Sequence, residues 1–268
     1  RDCEKFQTEC ESCFFLKSKG KDLSTSVFDK KMSLYKDANI TFVGCSRWLS
    51  GRAKKSYLLR GKAVLSIPNP IDTKVYHPMD QGMARELLGL PSGKRLLLFG
   101  ALNVTDKRKG IDYLIEALRR MEKQDVELVV FGQVKDDIRG LFPVPIHSMG
   151  YLSDESKIVA LYNAVDMFIT SSLEENLPNT IMESMACGTP CVGFEIGGIP
   201  EMIDHRVNGY VANYKDAGDL ANGIQWVLEH EDRLALSDAC VKKVQENYTE
   251  EVVAKQYTTL YEKLLKGE

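Results

Sequence analysis

The chain has 268 residues, 44% of them hydrophobic and 27% charged, with a formal net charge of -3 at pH 7. That composition lies near the globular average and excludes a disordered chain, a collagen-like repeat and a small disulfide-stapled scaffold. No apolar run approaches the ~18–20 residues that span a bilayer, which excludes a transmembrane helix, and the length fits one large or two small domains. The chain begins at Arg1 and carries no signal-peptide pattern, so it reads as cut, processed or lacking its natural start.

Charge is unevenly placed. Residues 1–78 hold 15 Lys and Arg against 8 Asp and Glu, whereas residues 79–268 hold 20 against 30. The basic excess peaks in RWLSGRAKKSYLLRGK (47–62), six basic residues with no acid. Two readings stand: a solvated helix face, or a surface that meets a phosphorylated acceptor or anionic lipid head groups, a peripheral membrane contact. The aromatic and motif content of specific nucleic-acid recognition is missing, so nucleic acid is not expected as a partner.

Seven cysteines are spread along the chain. Cys187, Cys191 and Cys240 stand in apolar or helical contexts and read as small buried hydrophobes, a usage that fits a reducing cytoplasm. Cys3, Cys10 and Cys13 form a C-x6-C-x2-C cluster. It reads as free thiols, as a local disulfide, or as part of a structural zinc site whose fourth ligand lies elsewhere.

In chain order, apolar periodicity predicts a helix over 27–37, a strand at ITFVGC (40–45), a helix over 46–58 and a strand at AVLSI (63–67). PNPIDTKVYHP (68–78) is rich in turn formers and reads as a linker. Beyond it come a short helix (83–90), strand RLLLFG (95–100), helix 110–121, strand VELVVFG (126–132) and strand VPIHSMG (144–150). Helix 154–164, strand DMFITSS (166–172), helix 178–187, strand PCVGF (190–194), a turn at GGIPEMI, strand GYVA (209–212) and helices over 216–229, 231–246 and 250–265 complete the chain. Strands alternating with helices predict an α/β fold, a parallel sheet covered on both faces. Ligands bind such sheets at the carboxyl ends of the strands.

The segment SSLEENLPNTIMESMACGTPCVGFEIGGIPEMIDHRVNGYVA (171–212) is the richest of those loops. Pro178 suits a first helical turn and Gly188 a position past the helix end. The unpaired N–H groups near Asn179 and Thr180 then make an anion site at the ligand edge. Glu175 precedes this helix and Glu183 lies inside it. No Asp-x-Asp occurs, so an anion at this edge falls to a lysine and a helix N-terminus rather than to a metal ion. His77, His147, His205 and His230 have no triad or metal spacing, and Cys45 and Ser46 have no neighbouring base.

The pair Glu175 and Glu183, the CGTP turn (187–190), the GGIPE loop (197–201) and PNPID (68–72) together resemble a retaining GT-B glycosyltransferase of family 4. The resemblance runs from about residue 40 to the last helix, and ENLPNTIMESMACGTP with the N-terminal cysteines resembles the branch that builds bacterial surface polysaccharides. It implies a Rossmann-like donor domain over 73–248, the tail of a truncated acceptor-side domain over 1–72, and a C-terminal helix, 249–268, that packs back toward the first domain. It also implies transfer of a hexosyl unit from a nucleotide diphosphate sugar to a glycan or lipid-linked acceptor, with retention and with no cofactor. Glu175 would accept hydrogen bonds from the donor sugar and Glu183 from the ribose, with the diphosphate on the N–H groups of Asn179 and Thr180 and against Lys109. The strand ends at Gly132 and at Tyr151–Leu152 would flank the base. The chain departs from the family's pattern at FGALNVTDKRKG, where Ala101 stands in place of the usual arginine. Arg108 or Lys107 would replace it, Arg108 being favoured, with hydrogen bonds from Asn103 and Thr105. The competing readings are a nucleotide-sugar binding module without turnover, and another GT-B enzyme such as an epimerase or a phosphorylase.

Overall fold

Leu96, Leu97, Leu98 and Phe99 are all buried, as are Met167, Phe168 and Ile169. Such unbroken apolar runs leave no polar face for water and therefore belong to strands covered on both sides. The computed structural model places them in the middle of a parallel sheet, and it describes residues 3–16, 22–103, 106–121, 125–133 and 139–267. Thr105, named above as a hydrogen-bonding residue, lies outside the described residues. The chain divides into two units, Arg1–Pro68 and Asn69–Glu268.

The first unit contains α1 (Leu23–Lys36), β1 (Thr41–Gly44), α2 (Arg47–Lys54) and β2 (Ala63–Ser66), with β1 and β2 paired in parallel. Helix α1 starts earlier than periodicity indicates because Asp22 caps it, its carboxylate accepting from the Ser24 N–H at 2.9 Å. Helix α2 is shorter than expected: Ser56 leaves the helical region, and a 3-10 turn, Tyr57–Leu59, follows. The Ser46 hydroxyl caps α2 at the Leu49 N–H, and the Ser50 hydroxyl donates to the Leu65 carbonyl across 2.6 Å, tying the helix to β2. The basic stretch does not form one free face. Lys62 donates to the carbonyls of Lys36 and Ala38, and Arg52 lies over the Phe6 and Trp48 rings, whereas Arg47, Lys54, Lys55 and Arg60 are exposed.

The second unit runs α3 (Gln81–Leu88), β3 (Arg95–Asn103), α4 (Ile111–Arg120), β4 (Val126–Gln133), β5 (Ile146–Gly150), α5 (Glu155–Ala164), β6 (Met167–Thr170), α6 (Asn179–Ala186), β7 (Cys191–Phe194), α7 (Ile199–Met202), β8 (Gly209–Ala212), α8 (Ala217–Leu228), α9 (Arg233–Asn247) and α10 (Glu250–Leu265). The sheet order is β5-β4-β3-β6-β7-β8, all parallel. Helix α4 packs against α8, α3 against α5 and α6 against α9. Leu114, Ala117 and Leu118 of α4 meet Leu220, Ile224 and Val227 of α8 in the core over the sheet. Strand β3 is longer than expected and its register against β4 shifts between Gly100 and Asn103.

Two further expectations are corrected. The GGIPEMI segment contains the single helical turn α7, because Pro200 lies in its first turn, where the missing N–H costs nothing. The linker is not wholly solvated either: Ile71 is buried and donates its N–H to the Tyr248 carbonyl at 2.8 Å.

Candidate functional site

Strand order reverses between β3 and β6: β4 and β5 extend the sheet to one side and β7 and β8 to the other. A crevice opens outside the carboxyl ends at such a switch point. The connections after β3 and β6 carry Lys109 and Glu175, and the structure brings these two together, Nζ to Oε1 at 2.5 Å.

Backbone contacts hold the loops in register. Lys109 ends a 3-10 turn, Lys107–Lys109, capped by Asp106, whose carboxylate accepts from the Arg108 N–H. Gly110 then turns with φ +64°, and a Cβ there would stand 2.0 Å from the Ser171 carbonyl oxygen. The Leu173 N–H donates to the Arg108 carbonyl at 2.7 Å, and the Ser171 hydroxyl to the Lys109 carbonyl at 3.0 Å. On the other side, Gly197 (φ +61°) passes so close to the Glu175 carbonyl that a Cβ would stand 2.0 Å from it, and the Gly198 N–H donates to Asn176. The Tyr214 hydroxyl, just after β8, donates to the Leu173 carbonyl. Segments after four strands thus support the pair, through backbone contacts and the Ser171 and Tyr214 hydroxyls.

Arg108 is adjacent, but its guanidinium grips Asp106 with contacts from 2.6 to 3.1 Å. That grip holds the Asp106 carboxyl down at about 2. Lys109 is part-exposed and Glu175 more covered, with 33% and 15% of their side chains accessible, so the pair is open to exchange with a ligand. Asn179 and Thr180 form the first turn of α6, whose leading N–H groups have no partner within the helix. Pro178 stands just before that turn, in extended conformation, rather than inside it. Gly188 takes φ +77° past the end of α6, as expected.

Glu183 is engaged separately. Its Oε2 accepts from the Tyr162 hydroxyl at 2.8 Å. Burial pushes the Glu183 carboxyl up, the Tyr162 hydrogen bond draws it down and the Glu155 charge adds to the rise. Asn103 closes β3, Gly132 lies near the end of β4 with φ +123°, and Tyr151 and Leu152 follow β5, with Tyr151 exposed. Ala101 is buried in β3. Cys3, Cys10 and Cys13 are free and partly buried, and among the described residues no group of three or more His, Cys, Asp or Glu side chains is arranged to hold a metal ion. No helix among the described residues is long and apolar enough to cross a membrane.

Asp106, Tyr162 and Gly197 were not expected as site residues. Asp106 directly precedes the KRK run and was readable as a cap. Tyr162 carries no such signal, since in sequence it is one more large residue on a buried helix.

The family model for glycosyl transferases group 1 matches residues 93–230. N-acetyl-alpha-D-glucosaminyl L-malate synthase of Bacillus anthracis is 25% identical over 213 residues, 77% of this chain and 55% of that protein. The fold is shared with sucrose-phosphate synthase from Thermosynechococcus elongatus (TM-score 0.76, 21% identity, 96% of this chain and 65% of that one). It is shared too with Anabaena HepE in complex with UDP (TM-score 0.72, 20% identity, 85% and 65%). The chain spans about half the length of the curated relatives it matches. Its sheet is that of a GT-B type α/β fold, and the chain belongs to the glycosyl transferases group 1 family.

Proposed function

We propose that this chain carries the donor site of a hexosyltransferase that moves a sugar from a nucleotide diphosphate sugar to a glycan or lipid-linked acceptor, with retention and without a metal ion. The observation that carries this is the meeting of Lys109 and Glu175 at the switch point of the sheet, on the edge where α6 begins.

Transfer breaks the bond between the anomeric carbon and the diphosphate oxygen and leaves negative charge on the nucleoside diphosphate. Lys109, Arg108 and the N–H groups of Asn179 and Thr180 receive that charge, and preorganised donors are most effective where charge develops. The absence of an Asp-x-Asp from the sequence supports the metal-free reading. Glu175 accepts hydrogen bonds from the donor sugar's hydroxyls and Glu183 from the ribose, while Asn103 adds a polar contact. Gly132, Tyr151 and Leu152 flank the base. The acceptor hydroxyl bonds to the anomeric carbon on the face the diphosphate leaves and passes its proton to the departing diphosphate oxygen; retention rests on the family resemblance.

Residues 73–248 form the donor-binding part in this reading. Residues 1–72 belong to the acceptor side, and 249–268 are a C-terminal extension of the donor part that carries α10 (Glu250–Leu265). The site faces the cytoplasm, with a peripheral membrane contact through the exposed basic residues of 47–62.

A donor-binding unit without turnover is the second reading. Calorimetric titration with a panel of nucleotide sugars, run beside a donor-hydrolysis and transfer assay, separates the two. Binding with turnover supports the transferase, binding alone supports the module, and no binding to any nucleotide sugar refutes both.

A further inference from the structure

Tyr162 is a buried polar group that the roles above leave unused. Its side chain is fully buried on α5, with its ring edge-on to Phe131 at 6.2 Å and to Phe168 at 5.9 Å. A phenylalanine would fill that aromatic position equally well, whereas a buried hydroxyl carries a desolvation cost unless it finds a partner. The partner is one oxygen of Glu183.

We propose that Tyr162 is a positioning residue for Glu183: its hydroxyl pins Oε2, so that Oε1 is presented to a ribose hydroxyl of a nucleoside diphosphate. The proposal rests on the donor-site role given to Glu183. Tyr162 is the hydrogen-bond donor that the described residues offer this carboxylate, and it reaches only Oε2. Among the described residues no buried side-chain oxygen is left without a partner, so Oε1 is not sealed in the core. The titratable groups facing the pair are Glu155 on α5, Tyr76 in the segment before α3, Cys187 at the end of α6 and Cys191 on β7. None is a cation, so the Tyr162 hydroxyl is the group that favours the ionised carboxylate. Without it the carboxylate loses both its orientation and the interaction that holds its charge.

The test is calorimetry on the whole chain with UDP, GDP, ADP and CDP, each beside its 2′,3′-dideoxy analogue, from pH 5.5 to 8. Tyr162→Phe is expected to weaken the ribonucleotide that binds best by ~10-fold, the scale of one charge-assisted hydrogen bond, and to leave its dideoxy analogue unchanged. Binding through ionised Glu183 is present above its pKa and lost as pH falls through it. Removing the donor raises that pKa further, so in Tyr162→Phe the loss begins at higher pH. Combined with Glu183→Ala, Tyr162→Phe should cost nothing more. Glu183→Gln keeps an acceptor for Tyr162 without the charge. It should retain selectivity for the ribonucleotide, and the ribo-over-dideoxy ratio, in which the ligand's own phosphate ionisation cancels, should no longer change with pH, a readout that does not depend on how Tyr162→Phe folds.

Equal weakening of ribo and dideoxy ligands by Tyr162→Phe, no effect on either, or a pH dependence of the ribo-over-dideoxy ratio that persists in Glu183→Gln overturns the proposal. If the wild-type chain does not distinguish ribo from dideoxy ligands, the role of Glu183 itself is wrong. If wild type distinguishes them and Tyr162→Phe does so equally, only the role of Tyr162 is wrong.

Discussion

Lys109 Nζ and Glu175 Oε1 stand 2.5 Å apart across a sequence separation of 66 residues. The cation assigned to the phosphates is therefore paired with the carboxylate assigned to the sugar. Binding a nucleotide diphosphate sugar must exchange this pair for two ligand contacts, the ammonium turning to phosphate and the carboxylate to hydroxyls. The two halves of that exchange are separable by mutation. Lys109→Ala removes the cation and should weaken a nucleoside diphosphate by ~10–100-fold, the range of one hydrogen bond to a charged group. Glu175→Gln frees the ammonium and should leave nucleoside diphosphate affinity unchanged or raised by up to ~5-fold, since part-exposed ion pairs contribute little. The same variant should lower sugar transfer by ~100-fold, because the lost contacts act on the reacting sugar. Titration beside a transfer assay checks both, and parallel losses in the two variants would contradict the exchange.

Arg108 offers a sharper contrast. Its guanidinium is held by Asp106, whose carboxyl is drawn from its ordinary 3.8 to about 2, chiefly by that hydrogen bond. A depressed carboxyl contributes stability that is present above the unfolded value and is lost as pH falls toward the folded one. Acid titration of the wild type between pH 4 and 2 should therefore show this loss, and Asp106→Asn should lack it. At neutral pH Asp106→Asn releases the guanidinium and should tighten nucleoside diphosphate binding by ~2–5-fold. Arg108→Ala should weaken it less than Lys109→Ala does, since Lys109 already meets Glu175 whereas Arg108 is held by Asp106. The three affinities, measured at one ionic strength, test this ranking.

The strands were legible because their chemistry is one-dimensional. Runs such as Leu96–Phe99 and Met167–Ile169 suit only a sheet buried on both faces. The helix boundary at Gly188 was equally local, a positive φ that glycine accepts. Lys109 and Glu175 were nameable through their motifs, but their mutual contact was not, because it depends on how the loops after β3 and β6 cross. Asp106 as the partner of Arg108 is a choice of side-chain rotamer that spacing does not encode. Tyr162 was hidden for another reason: its packing resembles that of any aromatic core residue, and the hydroxyl's partner lies 21 residues away on α6. The α7 turn was missed because Gly-Gly-Ile-Pro also suits a non-helical turn, and only burial of Ile199 and Met202 decides between them.

Glycines separate conformational from steric demand. Gly89 has φ +64° with open space where a Cβ would go, so Gly89→Ala should cost only ~1 kcal/mol. Gly110 has the same φ, but a Cβ there would lie 2.0 Å from the Ser171 carbonyl oxygen, and Gly197 is placed likewise against Glu175. Alanine at either position forces the loops apart and should cost ~3 kcal/mol or more, with donor affinity falling as well. Gly93, with open space and no positive φ, should tolerate alanine within ~0.5 kcal/mol. Denaturant titration of the four variants gives the order, and a Gly110→Ala chain as stable as Gly89→Ala would show that the loop contact has slack.

Asp166 immediately precedes β6, at its amino end and so on the edge of the sheet away from the candidate site. Its buried carboxylate accepts from Arg85 at 3.0 Å, Arg95 at 3.3 Å, Arg233 at 2.7 Å and the Leu96 N–H at 2.8 Å. Arg85 is buried as well and also donates to the carbonyls of Ala164, Ser92 and Lys94, so it cannot turn to solvent without breaking those bonds. Asp166→Ala strands that guanidinium without its counter-charge and should cost ~3–5 kcal/mol, the range for removing one partner of a buried pair. Arg233→Ala removes a half-exposed partner and should cost ~1 kcal/mol or less. Nucleoside diphosphate affinity of the folded fraction should be unchanged in both, because neither residue reaches the carboxyl edge. Denaturant unfolding beside calorimetry under native conditions tests the two statements independently. A loss of affinity in Arg233→Ala would mean that the two edges of the sheet are coupled, since that variant retains most of its stability and cannot weaken binding through unfolding.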